Sequence, residues 1–464
     1  MNIIEAMHDE NLFAHQFSGE SWRAWRVLLS AFYGLPIADD DLALYQELTG
    51  RQKPPEAPHN ELWLPVGRRG GKSNTAALIA VYEAFFNDYS DKLAAGEVAT
   101  VMVIAADRKQ ARSVMRYIRG LVDGSPMLKQ MVLRETTESI ELVNRCVIEI
   151  TTASMRATRG YTASCIIADE IAFWLTDGAN PDKEIINALR PSLATLNGKL
   201  IALSSPYARR GVLWENYRRY FGKDNQRVLV AQAPTLTMNP TLSPEIVAAA
   251  YEEDAQAASA EYGAQFRSDV ESYISREAVE AVTIPDRYEL APASSNHYFA
   301  FVDAAGGSGK DAMTCAIAHQ DKEIIIVDVL RVMKPPFSPE YVVEQFCDLL
   351  KMYRINYVVG DRWGGDFVRE QFTKRGIYYE LSEKNKSEIY GEMLPLINSK
   401  RVELPDHKQL FDELVGLERK TSSTGKDRID HAPGMHDDAV NAVAGVCVVA
   451  SQYRPYCAAP RIGF

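Results

Sequence analysis

From residue 61 to about 220 the chain alternates short apolar runs with helical patterns. The runs are Leu62–Val66, Ala99–Ala105, Cys146–Thr151, Cys165–Ala168 and Lys199–Leu203. They are rich in β-branched residues and apolar on both faces. That pattern predicts parallel strands in a sheet covered by helices on both sides. Residues 1–60 read as helical, with Trp22, Trp25, Leu28 and Leu29 at helical spacing, and close in Pro54-Pro55-Glu56-Ala57-Pro58. Pro234, Pro240 and Pro244 then break the alternation, and an Ala/Glu-rich helix over Glu245–Gln256 follows. A second set of strands begins at Tyr298–Asp303. It continues as a hairpin, Ala312–His319 and Glu323–Leu330, turning at Gln320-Asp321-Lys322, and then as Tyr357–Gly360 and Ile377–Leu381. The chain therefore divides into an N-terminal helical lead-in (1–60), an α/β core (61–231), a helical linker (232–290) and a second α/β domain (291–464). No internal repeat interrupts this order.

A length of 464 residues suits two or three domains, and 46% hydrophobic with 24% charged residues is an ordinary globular composition. The formal net charge of -11 argues mildly against nucleic-acid binding. It does not exclude it, because a basic groove can sit on an acidic molecule. None of the six cysteines has zinc-ligand or redox spacing, so reduced core cysteines are expected. The N-terminus lacks a signal-peptide pattern. The most apolar stretch, Ala439 to Ala450, is too short to span a bilayer, so no membrane partner is expected.

Residues 67–73, Gly-Arg-Arg-Gly-Gly-Lys-Ser, join the first strand to a helical pattern beginning Asn74-Thr75-Ala76-Ala77. Backbone amides of such a turn and the helix N-terminus form a concave anion site. Gly67, Arg68, Arg69, Gly70, Gly71, Lys72 and Ser73 would cradle ATP. Lys72 would lie on the β/γ-phosphates and Ser73 on Mg²⁺. Three residues rather than four separate Gly67 from Gly71, so the loop is shorter than the standard P-loop. Downstream, Cys165-Ile166-Ile167-Ala168 ends in Asp169-Glu170. Asp169 would hold the Mg²⁺, and Glu170 would act catalytically by polarising the attacking water. A third buried strand ends in Ser204-Ser205-Pro206, where a motor couples hydrolysis to movement. Charge developing on the γ-phosphoryl group needs an arginine, and Arg68, Arg69, Arg156 and Arg159 all qualify. Together these predict a P-loop ATPase domain of the ASCE type. Gly306-Gly307-Ser308-Gly309-Lys310-Asp311 lacks Ser or Thr after its lysine and is rejected as a second nucleotide site.

Asp303 ends one apolar strand, Asp361 follows another, and Asp437 and Asp438 begin an apolar helix. Acids in that order, with a hairpin between the first two, predict an RNase H-like nuclease fold with a mixed sheet. Two Mg²⁺ or Mn²⁺ ions sharing Asp303, Asp361, Asp437 and Asp438 would activate water and stabilise the leaving oxygen. Without metal, carboxylates so close would repel one another. Which of Asp437 and Asp438 binds metal directly stays open. Asp311, Asp366 and His436 are supporting candidates. Lys384, Lys386, Lys420, Lys426 and Arg428 are candidates for phosphate contact.

An ATPase followed by such a nuclease on one chain resembles the large terminase subunit of tailed bacteriophages. Nearly the whole chain carries the likeness. It includes Ser21-Trp22-Arg23-Ala24-Trp25-Arg26, the shortened P-loop, Arg159-Gly160 ahead of Asp169-Glu170, Asn239-Pro240 and Glu261-Tyr262-x-x-Gln265-Phe266. It also includes Gly425-Lys426-Asp427-Arg428-Ile429-Asp430-His431 and His436-Asp437-Asp438-Ala439-Val440-Asn441-Ala442. The resemblance implies a motor that drives double-stranded DNA into a procapsid and cuts concatemers. Its partners would be the portal protein, the small terminase subunit and further copies in a ring of five, with a monomer compatible with isolation. Its place would be the cytoplasm of an infected bacterium. It also sets Trp22 and Trp25 near the adenine, against the plainer expectation that tryptophans at helical spacing are core. Two other readings are a helicase-like ATPase without nuclease activity and an inactive packaging scaffold.

Overall fold

A computed structural model describes residues 1–153, 160–174, 181–307, 309, 311–361, 365–421, 427–432 and 435–453. The chain forms two compact units, Met1–Ser268 and Asp269–Phe464. The boundary falls inside the segment read as a linker.

The first unit is built on an eight-stranded sheet. Its strands are β1 (Glu61–Pro65), β2 (Ala99–Ala105), β3 (Val132–Glu135), β4 (Ser139–Leu142), β5 (Cys146–Thr152), β6 (Thr162–Asp169), β7 (Lys199–Ser204) and β8 (Val228–Val230). They lie in the order β3-β4-β5-β2-β6-β7-β1-β8. All pairings from β5 to β8 are parallel, while β3 and β4 add an antiparallel edge. β1 and β2 are buried along their whole length, which is why they read as unbroken apolar runs. On one face lie the helix Lys72–Phe85, the helix Arg108–Asp123 and the N-terminal helices, including Arg23–Tyr33 with its buried Trp25, Leu28 and Leu29. The helices Pro181–Leu189 and Gly211–Tyr220 join a separate apolar cluster with Trp63, Ile166 and Ala202. Alternate residues of the same strands face these two clusters, as the pleat requires. The predicted single helix over Glu245–Gln256 is two, Pro244–Glu253 and Ala255–Glu261, because Asp254 leaves helical geometry and caps the second with its side chain.

In the second unit, β9 (Val270–Ser272) pairs with β16 (Leu417–Thr421), which pairs with β17 (Asp427–His431). The larger sheet contains β10 (Tyr298–Asp303), β11 (Met313–Asp321), β12 (Ile324–Met333), β13 (Tyr357–Gly360), β14 (Tyr378–Leu381) and β15 (Val402–Glu403). Its order is β14-β13-β10-β11-β12-β15, with β10, β11 and β12 antiparallel and the other pairings parallel. The helix Asp438–Gln452 packs on one face and Pro339–Met352 on the other. After Gly306-Gly307 the chain enters β11 rather than a helix, so that segment has no P-loop architecture. Five cysteines are free and buried, while Cys457 lies outside the described residues. Among the described residues no helix is long and apolar enough to cross a membrane.

Candidate nucleotide and metal sites

The loop after β1 is tightly constrained. Arg69 (φ 62°) and Gly71 (φ 89°) both take left-handed conformations. A Cβ on Gly67 would stand 2.3 Å from Thr235 Oγ1 and 2.7 Å from the Tyr262 carbonyl, so only glycine fits. Three side chains tie down successive loop carbonyls. Thr235 Oγ1 donates to Arg68 O at 2.7 Å, Asn239 Nδ2 to Arg69 O at 2.8 Å, and Trp25 Nε1 to Gly70 O at 2.8 Å. With its carbonyls held this way, the loop leads into the helix Lys72–Phe85, whose N-cap Gly71 offers no side-chain cap. The first-turn amides are thus left for an anion.

The strand ends converge behind this loop. Lys72 Nζ, 6% exposed, donates to Val66 O (3.1 Å) and Ser205 Oγ (2.9 Å) and lies 3.5 Å from Glu170 Oε1. Glu170 Oε2 accepts from Ser204 Oγ (2.9 Å) and the Ser205 amide (3.1 Å). Glu170 itself is left-handed at φ 49°, a costly conformation for a non-glycine residue. Lys72, Glu170, Ser204 and Ser205, far apart in sequence, therefore form one hydrogen-bonded set. Burial first, then the Glu170 charge, pushes the Asp169 carboxyl up to about 7 against the opposing charge of Lys72. Asp169 Oδ1 and Asn74 Oδ1 are buried without a partner. A buried carboxylate oxygen with nothing to bond, at the end of the strand that carries Glu170 to the cleft lined by Ser73, fits a divalent cation held by Ser73 and Asp169. The adjoining cleft of about 850 Å³ is lined by Arg68, Arg69, Lys72, Ser73 and Glu170, with Trp22 and Tyr117 among its aromatic members.

In the second unit Asp303, Asp361, Asp437 and Asp438 line one cavity of about 420 Å³. Asp303 is carried by β10 and Asp361 follows β13. The parallel pairing of those strands brings the two together. Gly360 is required before Asp361, since a Cβ there would overlap the Tyr379 hydroxyl at 1.9 Å. Asn441 Nδ2 donates to Asp361 Oδ2 at 3.1 Å. Burial holds the Asp303 carboxyl well above the ordinary range. The Asn441 side chain opposes this, and the charges of Asp361 and Asp438 add to it. Burial likewise raises Asp438, against the Ala312 amide that donates to its Oδ2 at 2.7 Å. Ligand atoms of Asp311, His436 and Asp438 lie within 4.8 Å of one another. Asp437 is placed differently, with Lys386 Nζ on its Oδ1 at 2.6 Å and Tyr390 OH on its Oδ2 at 2.8 Å. Four carboxylates around one cavity, two of them (Asp303 and Asp438) biased toward protonation, together with the unpartnered buried Oδ1 of Asn441, fit a site for divalent cations.

Residues 35–264 match a family model described as "Uncharacterized protein MJ0330, N-terminal P-loop domain". The first unit contains a P-loop domain. No curated protein matches the chain. Solved structures similar to it include large terminases. The HK97 bacteriophage large terminase is 17% identical over 91% of this chain and 99% of that one, with a TM-score of 0.39. The large terminase of a thermophilic bacteriophage is 11% identical over 92% of this chain and 98% of that one, with a TM-score of 0.40. The large terminase nuclease of thermophilic phage G20c is 21% identical over 39% of this chain and 99% of that one, with a TM-score of 0.34.

Within the P-loop domain, Arg68 is exposed and pairs with Glu261 at 3.4 Å, and Arg69 lines the cleft. Arg156 and Arg159 lie outside the described residues, as does Lys426. Trp25 is core and loop support at once, and both Trp22 and Trp25 line the cleft. In the second unit Lys384 pairs with Glu392, Lys420 with Glu418 and Arg428 with Asp430. Asp366 falls in the helix Gly365–Lys374, and its side chain lies outside the described residues. Sequence reasoning missed Thr235, Asn239, Asn441 and Tyr390 as site residues. Asn441 was findable, three positions after Asp438 on the same helix face. Asn239 stood in the Asn239-Pro240 stretch already singled out, but no spacing rule ties Thr235 or Asn239 to carbonyls 167 and 170 positions away.

Proposed function

We propose that this chain is the large subunit of a phage-type DNA-packaging motor, an ATPase that moves double-stranded DNA joined to a metal-dependent nuclease that cuts it. One observation carries the reading. A single chain holds a P-loop cleft with Lys72, Asp169 and Glu170 in one unit and a four-aspartate cavity in the other. The sequence motifs shared with large terminases point the same way.

ATP would enter with its phosphates on the first-turn amides of the helix Lys72–Phe85. Lys72 would then exchange Ser205 for phosphate oxygens. Because Ser204 and the Ser205 amide hold Glu170, that exchange loosens the group that polarises the attacking water and shifts the end of β7 with it. Hydrolysis and a movement of that strand end are thereby tied together. Arg68 or Arg69, or Arg156 or Arg159, supplies positive charge to the γ-phosphoryl group. Ser73 and Asp169 would hold the accompanying Mg²⁺, which neutralises phosphate charge.

In the nuclease, Asp303, Asp361 and Asp438 would hold the divalent ions, which supply an activated water and stabilise the leaving oxygen. Asp437 instead anchors its turn, both its oxygens being engaged by Lys386 and Tyr390. The proposal carries with it the portal protein, a small subunit, a five-membered ring and the cytoplasm of an infected bacterium.

The test is plasmid cleavage by purified protein with Mn²⁺, run beside Asp303→Asn and beside an ATPase assay. Metal-dependent cutting that disappears in Asp303→Asn is the expected result. ATP turnover without any cutting would favour the helicase-like reading. Neither activity would favour the scaffold.

A further inference from the structure

We infer that Glu413 is a positioning residue of the nuclease cavity, fixing from outside the helix start that presents Asp438 and Asn441. The inference rests on the nuclease reading above. The first amides of any helix lack partners within it. In the helix Asp438–Gln452 the N-cap residue, Asp437, supplies no side-chain cap, because its carboxylate is engaged by Lys386 and Tyr390. The cap comes instead from the helix Lys408–Gly416. Glu413 Oε2 accepts from the Ala439 amide at 2.9 Å and the Val440 amide at 3.1 Å. Glu413 Oε1 accepts from Gln409 Nε2 at 2.7 Å, which fixes the carboxylate's rotation.

Asp438 is then held from three directions. Glu413 binds the amides that follow it, Thr314 Oγ1 donates to its carbonyl at 2.7 Å, and Ala312 N donates to its carboxylate. A carboxylate is an expensive choice at this position. Glu413 is 4% exposed among Leu410, Leu414 and the apolar helix, and a further acid so close to Asp438 adds like charge. An apolar side chain would suit the core better but would leave the two amides orphaned and the turn free to shift. Groups that orient metal ligands from behind typically change metal affinity by roughly 10–100-fold when lost.

The test is Mn²⁺ binding to the full chain by isothermal titration calorimetry, without nucleotide. Heat that disappears in Asp303→Asn is assigned to the cavity. Glu413→Leu is expected to weaken that binding at least about tenfold, and Glu413→Gln, which keeps one acceptor oxygen, by less. ATPase activity should be unchanged in both. A folded Glu413→Leu variant that binds Mn²⁺ as tightly as the wild type overturns the inference. If that variant does not fold, Glu413→Gln and Gln409→Ala decide it, and wild-type affinity in both overturns it equally. A wild-type chain with no heat sensitive to Asp303→Asn sinks the nuclease reading itself, and this inference with it.

Discussion

Replacing Thr235 by valine removes one donor from the support of the P-loop and almost nothing else. Thr235 is fully buried, and its hydroxyl reaches only 2.7 Å from the Arg68 carbonyl. Valine puts a methyl group where the hydroxyl was. Carbon–oxygen contacts settle at about 3.3 Å or more, so the loop must retreat by roughly 0.6 Å or keep a compressed, unpaired carbonyl. An orphaned buried acceptor costs about 1–3 kcal/mol, and this bond is part-buried, so that range is an upper bound. If the loop stays, the loss appears as stability, about 2–4 °C of melting midpoint per kcal/mol for a domain of this class. If the loop retreats, nucleotide must bring it back, and affinity for ATP falls by roughly 5–150-fold. Thermal unfolding of Thr235→Val, and binding of a fluorescent ATP analogue to it, together capture the whole cost. A variant with the wild-type melting midpoint and the wild-type Kd would show that the Thr235–Arg68 bond does not hold the loop.

Lys72→Ala is expected to abolish phosphate release from ATP while leaving Mn²⁺-dependent plasmid cleavage intact, and Asp361→Ala to do the reverse. Loss of both activities in either folded variant would contradict separable sites. Burial, reinforced by the charge of Arg51, pushes the His59 imidazole down to about 4 from its ordinary 6.5. The unfolded chain therefore binds a proton that the folded chain refuses, and stability is lost as pH falls from about 6.5 to about 4. His59→Gln should flatten that part of the melting-midpoint curve, and parallel curves for variant and wild type would refute the assignment. In Gly445→Ala the new Cβ would stand 2.4 Å from the Phe301 ring, lifting the helix that carries Asp438 and Asn441. The expected cost is about 1–3 kcal/mol in urea unfolding, accompanied by reduced cleavage. An unchanged urea midpoint would mean that the ring yields freely.

The sequence by itself determined the central strands and the order of the chemistry along them. Strands such as β2 and β6 are buried on both faces, so their identity is written into consecutive apolar residues, and the polar groups that end them stand out. The glycine-rich turn was legible for a local reason as well, since a left-handed Gly71 leads straight into the helix. The edge strand β14 was legible within Ile377–Leu381, but the edge strands β3 and β15 were not. β3 is exposed over most of its length and β15 is two residues long, so neither needs an apolar pattern to exist. What only the tertiary structure decided was the supporting contacts, which follow no spacing rule. Lys386 and Tyr390 lie 51 and 47 positions before Asp437. Two adjacent aspartates are chemically identical in the sequence. They part only when folding places a lysine and a tyrosine against one of them and the Ala312 amide against the other.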